Sequence, residues 1–493
     1  MPALLLAVCP PALALDPGKN ITQYAHDVWG AENGLAHNTV LAITQTRDGF
    51  LWMGTEGGLV RFDGVRFVQY DKRNTGGGMR HNYVAALSQD PAGDLWVGTQ
   101  DGLTRLHDKT FTLFTAKEGL AHDSVYATYP ARDGSVWIGT WGGGITRYHD
   151  GKLTLHVPQD GGPTSIVRSI WEGERGDMWF GTEGGGLLRL TDGVFTRYTT
   201  ANGLPNDSVR AVRQARDGTL WVGTDGGVSR MTNGHFDTYR VSDGLSDNLV
   251  RAVFEDAQGT MWVGTNGGLT RIRNGRLDTF TAKDGLSSNL VRSIAEDTDG
   301  NLWVGTWGGG LNRLRDGRFT AFTSREGLAS DLTFPIYEAR DGALWIGTDA
   351  GIDRFEGGRF TAHYGVREGL PHKLVYSICD TPDGALWIGT GGGGVARLRD
   401  GRFETFSTRN GLSHDVVRAM HCDEDGGVWI GTYGGGLNHL LAGKITVYAA
   451  REGLPSNIVF SILRRKDGTL WIGTYGGGVV RMQGETLTSY GAK

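Results

Sequence analysis

Trp-x-Gly-Thr occurs eleven times in 493 residues. Its tryptophans are Trp52, Trp96, Trp137, Trp179, Trp221, Trp262, Trp303, Trp345, Trp387, Trp429 and Trp471, and neighbours stand 41 to 44 residues apart. A self-similar period of about 40–45 residues is the length of one four-stranded propeller blade. The 80 glycines, more than twice the ordinary share of about 7%, fall at fixed places between apolar and aromatic runs. They therefore read as turn residues and not as a flexible tract.

Residues 289–323 (NLVRSIAEDTDGNLWVGTWGGGLNRLRDGRFTAFT) show what one period must build. Leu290–Ala295 is apolar and β-branched, and reads as an inner strand, A. Asp299-Gly300 supplies the positive φ of a tight hairpin turn. Leu302–Thr306 follows as strand B, Leu311–Leu314 as strand C after a glycine loop, and Phe319–Phe322 as outer strand D after the Asp316-Gly317 turn. Side chains alternate along a strand, so Trp303 and Gly305 share one face. A large ring beside a missing side chain suits two twisted sheets packed face to face. The repeating tryptophans are thus assigned to packing between blades, not to a ligand.

The fold expected is all-β, a tandem β-propeller of eleven four-stranded blades. A blade cannot bury both faces alone, and rings usually hold about four to eight blades. Ile21–Trp29 followed by Gly34-Leu35 matches a lone strand D and the loop after it, as in Phe280–Leu286. The prediction is one seven-bladed ring over residues 21–316, its complete blades starting at Thr39 and its latch at residues 21–29. Residues 317–493 then supply four blades of an incomplete second ring, either a fragment of something longer or an open arc.

Residues 1–15 read as a truncated secretory leader: an apolar run, no basic start, and small residues at Ala12-Leu13-Ala14 that suggest cleavage after Ala14. The net charge of −5 and the lack of a Lys/Arg-rich run exclude a broad footprint for nucleic acid. No run of 18 apolar residues is present, so no membrane span is expected. Cys9 lies in the leader. Cys379 and Cys422 occupy neighbouring repeats one position out of register, and opposite-facing side chains predict two free buried thiols.

The recurring phrase Asp284-Gly285-Leu286, Asn289, Val291, Ile294, Asp299-Gly300, Leu302-Trp303, Gly305-Thr306 resembles the two-component regulator propeller repeat, over residues 21–493. The resemblance implies the periplasmic sensor region of a bacterial membrane-bound regulator, typically two seven-bladed propellers ahead of a histidine kinase or diguanylate cyclase. It also implies an oligosaccharide signal in many relatives. This chain departs from the pattern in having eleven repeats and no transmitter, so signalling needs a transmitter-bearing partner or a homodimer.

Candidate ligand positions are those that vary at a fixed place in the repeat. The residue after each Gly-Thr opens the B–C loop on one rim. It is Glu56, Gln100, Trp141, Glu183, Asp225, Asn266, Trp307, Asp349, Gly391, Tyr433 or Tyr475. Packing would select one residue type; this mixture of aromatic faces, carboxylates and amides suits sugar rings and hydroxyls, although rim positions also simply drift. Early in strand A, Arg168, Arg210, Arg251 and Arg292 occupy blades four to seven, and Arg418 blade ten. Four guanidinium groups on one arc could grip an anion such as a uronate or sulfate. The competing reading pairs them with Glu183 and Asp225 to stiffen the rim.

Loop histidines His37, His81, His122, His372 and His414 belong to different blades, so no metal site is expected. No nucleophile elbow, P-loop or dinucleotide fingerprint is present, and no cofactor is implied. The leading expectation is a periplasmic or secreted sensor that binds a small molecule or glycan and is not an enzyme. A secreted propeller enzyme using, for instance, Glu183 with His122 is the second reading. A protein-interaction scaffold or gene fragment is the third.

Overall fold

The computed structural model describes residues 15–158, 165–232, 234–317, 320–465, 467–484 and 486–491. Eleven four-stranded antiparallel sheets make up the fold, and the described residues contain no α-helix, only single 3-10 turns between blades. The predicted leader lies outside the described residues except for Leu15. That residue is buried with Ile21, Tyr24, Phe280 and Leu314, so a cut after Ala14 would leave this core intact.

Each residue of the Trp-x-Gly-Thr motif has its own packing task. In blade seven, Trp303 lies against Leu35, Val40, Leu51 and Met53 of blade one, and its indole N–H donates to Asp297 in the A–B turn (2.6 Å). Trp96, Trp262 and Trp429 donate to an aspartate six residues earlier in the same way. A Cβ at Gly305 would stand 2.7 Å from Val40 Cγ1, so the bare backbone lets the next blade's valine seat. Thr306 Oγ1 donates to the carbonyl of Gly310 (2.9 Å) and closes the B–C loop. Burying one such indole removes about 150–250 Å² from water, worth roughly 4–6 kcal/mol at about 25 cal/mol/Å².

The chain divides into two compact units, Met1–Thr320 and Ala321–Lys493. In the first, seven sheets follow one another, and the seventh packs on the first through Trp303 and Val40. The seventh sheet takes strands A to C from Val291–Glu296, Leu302–Thr306 and Leu311–Arg315. Its outer strand is Ala25–Trp29, antiparallel to Leu311–Arg315 with Val28 opposite Asn312. This corrects the reading of Phe319–Phe322 as that blade's own strand D. The N-terminal strand already fills the position, residues 320–323 carry no strand, and Phe322 packs on Phe355 instead (4.8 Å). Residues Ile21–Gln23 of the predicted latch form a 3-10 turn. Two side chains secure the strand: Asp27 accepts from Arg313 and Arg315 (2.7 and 2.9 Å), and Trp29 stacks on Trp303 (5.4 Å).

The second unit has four successive sheets. Its last tryptophan, Trp471, is half-buried where the others are buried, because no further sheet of this unit lies beyond it. Ile336 on the inner strand Thr333–Glu338 of its first sheet is exposed for the same reason.

The two cysteines predicted to be free form a disulfide, Cys379–Cys422, with Cα atoms 5.8 Å apart. Cys379 lies opposite Trp387 in its blade and Cys422 opposite Val428 in the next, so their faces do differ. Stacked blades, however, turn opposite faces toward the gap they share. A one-position offset is therefore what brings side chains of consecutive inner strands together.

Candidate functional site

A regular defect aims the variable residues of strand A. In blade seven, Val291 pairs with Thr306 and Ser293 with Gly305, which leaves Arg292 unpaired as a bulge. The same shift falls at Leu41, Ala85, Tyr126, Arg168, Arg210 and Arg251. A bulged residue leaves the pleat and its side chain is re-aimed. Seven bulges in seven sheets send one side chain each to a common place. The seven, together with Tyr83 and Trp307, line one cavity of about 400 Å³.

Charge around this cavity is uneven. Each arginine reaches the residue after Gly-Thr of its own blade, and Arg210 and Arg251 also reach that of the blade before. Arg168 donates twice to Glu183 (2.6 and 2.8 Å). Arg210 forks onto Asp225 (2.8 and 3.1 Å) and also meets Glu183 (2.8 Å). Arg251 has Asn266 (3.1 Å) and a longer contact to Asp225 (3.6 Å). Arg292 lies over the Trp307 indole, 4.8 Å from its centre. Among the described residues no carboxylate stands within ion-pair distance of it, and its Nε has no hydrogen-bond partner.

The protonation equilibria follow from this geometry. Burial works against the charge of Glu183, but the hydrogen bonds and charges of Arg168 and Arg210 outweigh it and hold the carboxyl below its usual range. Burial likewise opposes the charge on Arg210, which its two carboxylates restore and raise. Burial, then repulsion from Arg251, brings Arg292 down to about 10, still cationic at neutral pH. Burial raises the Tyr83 phenol, so it stays a hydrogen-bond donor beside them.

The ten candidate residues separate. Arg168, Arg210, Arg251, Arg292 and Trp307 line the cavity, with Glu183 and Asp225 engaged as their counter-ions. Trp141, half-exposed, stands beside Tyr126 (5.8 Å), on whose face Arg168 rests (4.2 Å). Tyr433 and Tyr475 belong to the second unit. There Arg418 sits 4.0 Å over Tyr376 and 5.5 Å from Tyr433, and Phe460 joins Tyr433 to Tyr475 by edge contacts (6.3 and 5.9 Å). Tyr83 was missed: it lies in the loop before strand A, where neither variable position pointed.

The loop histidines have a structural task. Nδ1 of His37, His81, His122, His372 and His414 accepts from the backbone N–H two residues on. Asn206 and Asp247 do the same with a side-chain oxygen, as in an Asx turn. Among the described residues no group of His, Cys, Asp or Glu could hold a metal ion, and no helix is long and apolar enough to cross a membrane. Glu183 is held by arginines and His122 by a turn, so this geometry does not pair them as acid and base.

The profile described as two component regulator propeller matches nine segments: 34–57, 78–101, 119–142, 203–226, 244–267, 285–308, 369–392, 411–434 and 453–476. The chain carries the two component regulator propeller repeat. Blades four and eight fall outside the matched segments, yet both form four-stranded sheets. Among solved structures, the extracellular domain of a putative hybrid two component system from B. thetaiotaomicron aligns with TM-score 0.64 at 24% identity, over 95% of this chain and 73% of that one. A streptogramin B lyase aligns with TM-score 0.50 at 17% identity, over 60% of this chain and 99% of the lyase. At these identities both likenesses show the fold. No curated protein matches the chain in sequence.

Proposed function

We propose that this chain is the ligand-binding module of a two-component-type receptor, acting in the periplasm or outside the cell, and is not an enzyme. In this reading residues 21–316 form a closed seven-bladed propeller and residues 317–493 four blades of an incomplete second one. Residues before Leu15 act as a secretory leader. The observation that carries the proposal is the cavity into which seven bulged residues converge. It joins cationic side chains to an exposed indole and two phenols, and its acids are committed to ion pairs. That is a recognition surface without a poised acid, base or nucleophile.

Two further observations support an extracytoplasmic sensor. The most similar fold among those described above belongs to the extracellular domain of a putative hybrid two component system. The Cys379–Cys422 disulfide suits an oxidising compartment. An oligosaccharide is the ligand class proposed: Trp307 and Trp141 offer flat faces for sugar C–H groups, and the arginines and phenols donate to hydroxyls. In this reading a histidine kinase or diguanylate cyclase transmitter turns ligand binding into output.

Calorimetric titration of the intact chain against neutral and acidic oligosaccharides tests this reading. Trp307→Ala is expected to weaken binding about tenfold or more, as loss of an aromatic platform worth about 1–2 kcal/mol does, with unchanged melting. Silence across both oligosaccharide classes removes the sugar claim.

A further inference from the structure

We infer that the ligand received in the first unit's cavity carries an oxyanion, a carboxylate or sulfate ester on a sugar, and that Arg292 with Arg251 grips it. This deepens the sensor reading and rests on it for the sugar part. The charge itself follows from geometry alone. Four guanidinium groups (Arg168, Arg210, Arg251, Arg292) line the cavity, and two carboxylates (Glu183, Asp225) neutralise them, so four minus two leaves two positive charges in excess. The excess is localised. Arg168 and Arg210 hydrogen-bond to Glu183 and Asp225, whereas Arg251 hydrogen-bonds to the neutral amide of Asn266 and reaches Asp225 only at 3.6 Å, and Arg292 meets the neutral indole of Trp307.

The Arg292 Nε donor, buried without a partner, is the costly feature. A desolvated donor left unmade is unfavourable by more than a typical hydrogen bond gains, and a half-buried cation without a counter-ion adds to that. Burial, and after it the neighbouring Arg251, depress the Arg292 proton affinity. An oxyanion placed between Arg251 and Arg292 would relieve the donor and the repulsion together. The guanidinium fork fixes its plane, and Trp307 is left to stack on the sugar that bears it.

The test compares di-galacturonate, its methyl ester, a 6-sulfated neutral disaccharide and inorganic sulfate by calorimetry on the intact chain. Free acid is expected to bind at least tenfold tighter than the uncharged ester, and to weaken as NaCl rises. Arg292→Gln should lower affinity for the charged probes about ten- to hundredfold, the range of a lost charge-assisted bond. Arg292→Lys, which keeps the charge and loses the fork, should fall between and guards against misfolding of the first variant. Binding of the sulfated sugar in place of the uronate identifies sulfate as the oxyanion and supports the inference. Arg292-dependent binding of inorganic sulfate with no sugar bound supports the anion site while the oligosaccharide reading fails. Equal affinity for acid and ester, or unchanged affinity in Arg292→Gln, overturns the inference and leaves the sensor reading standing.

Discussion

Cys379 and Cys422 join the inner strands of blades nine and ten across 43 residues, and breaking that bond should unfold the second unit far more easily. In the chain-entropy description, closing such a loop removes about 13 cal/mol/K from the unfolded chain, which is about 4 kcal/mol at 25 °C. The unit that contains the bond spans 321–493. For domains of roughly that size each kcal/mol moves the midpoint by about 2–4 °C, so a fall of about 8–16 °C is expected. The assay is differential scanning calorimetry of the full chain, oxidised and after reduction in denaturant and refolding with reductant present. Only the transition of the second unit should move. Peptide mapping of the oxidised chain should recover the two cysteines linked. Recovery of both as free thiols, or coincident scans, would refute the stacking argument that turns Cys379 toward Cys422.

Three other outcomes follow from the packing. Gly305→Ala, whose Cβ would meet Val40 of blade one at 2.7 Å, should destabilise the first unit by about 1–3 kcal/mol. Gly473→Ala, with only its own blade's Ser461 nearby, should cost the second unit less; equal losses in urea melts would contradict blade-to-blade contact. Trp303→Ala should cost about 3–5 kcal/mol and Trp471→Ala clearly less, because Trp471 has no covering sheet in its unit. The latch strand should respond to pH. Burial lowers the pKa of His26 below 6.5, so the unfolded chain takes up more protons and stability falls as pH drops through that value. Burial opposes the Asp27 charge, but Arg315 and Arg313 outweigh it and lower its pKa below 3.8, adding a second loss at still lower pH. Urea midpoints of the first unit should decline less between pH 8 and 5 in His26→Gln; an unchanged slope would place the titration elsewhere.

The blades were legible because one strand, Leu302–Thr306, carries its instructions in consecutive residues: ring, gap and hydroxyl. The match of Ile21–Trp29 to a lone strand D pointed to the outer strand of blade seven, whereas nothing local in Phe319–Phe322 shows that a distant strand has taken that position. The disulfide was misread for a related reason. Facing within one blade follows from alternation, but facing between blades depends on how sheets stack. Variation singled out Arg168, Arg210, Arg251 and Arg292, which line one cavity, while the bulge that aims them there has no signature in residue identity. Whether Glu183 and Asp225 were ligands or counter-ions depended on distances, and these place both on arginines. Tyr83 escaped because its loop position is filled by Thr39, Ser124 and Ile166 in neighbouring blades, with no pattern to single it out.

The most direct measurement is a crystal of the intact chain soaked in selenate, read by anomalous scattering at the selenium edge. The predicted result is one strong peak in the first unit between the guanidinium groups of Arg251 and Arg292, with Trp307 alongside and Arg168 and Arg210 still paired to Glu183 and Asp225. Those four arginines found pointing to separate surfaces, or selenate bound only away from them, would contradict a cavity assembled from bulged inner strands.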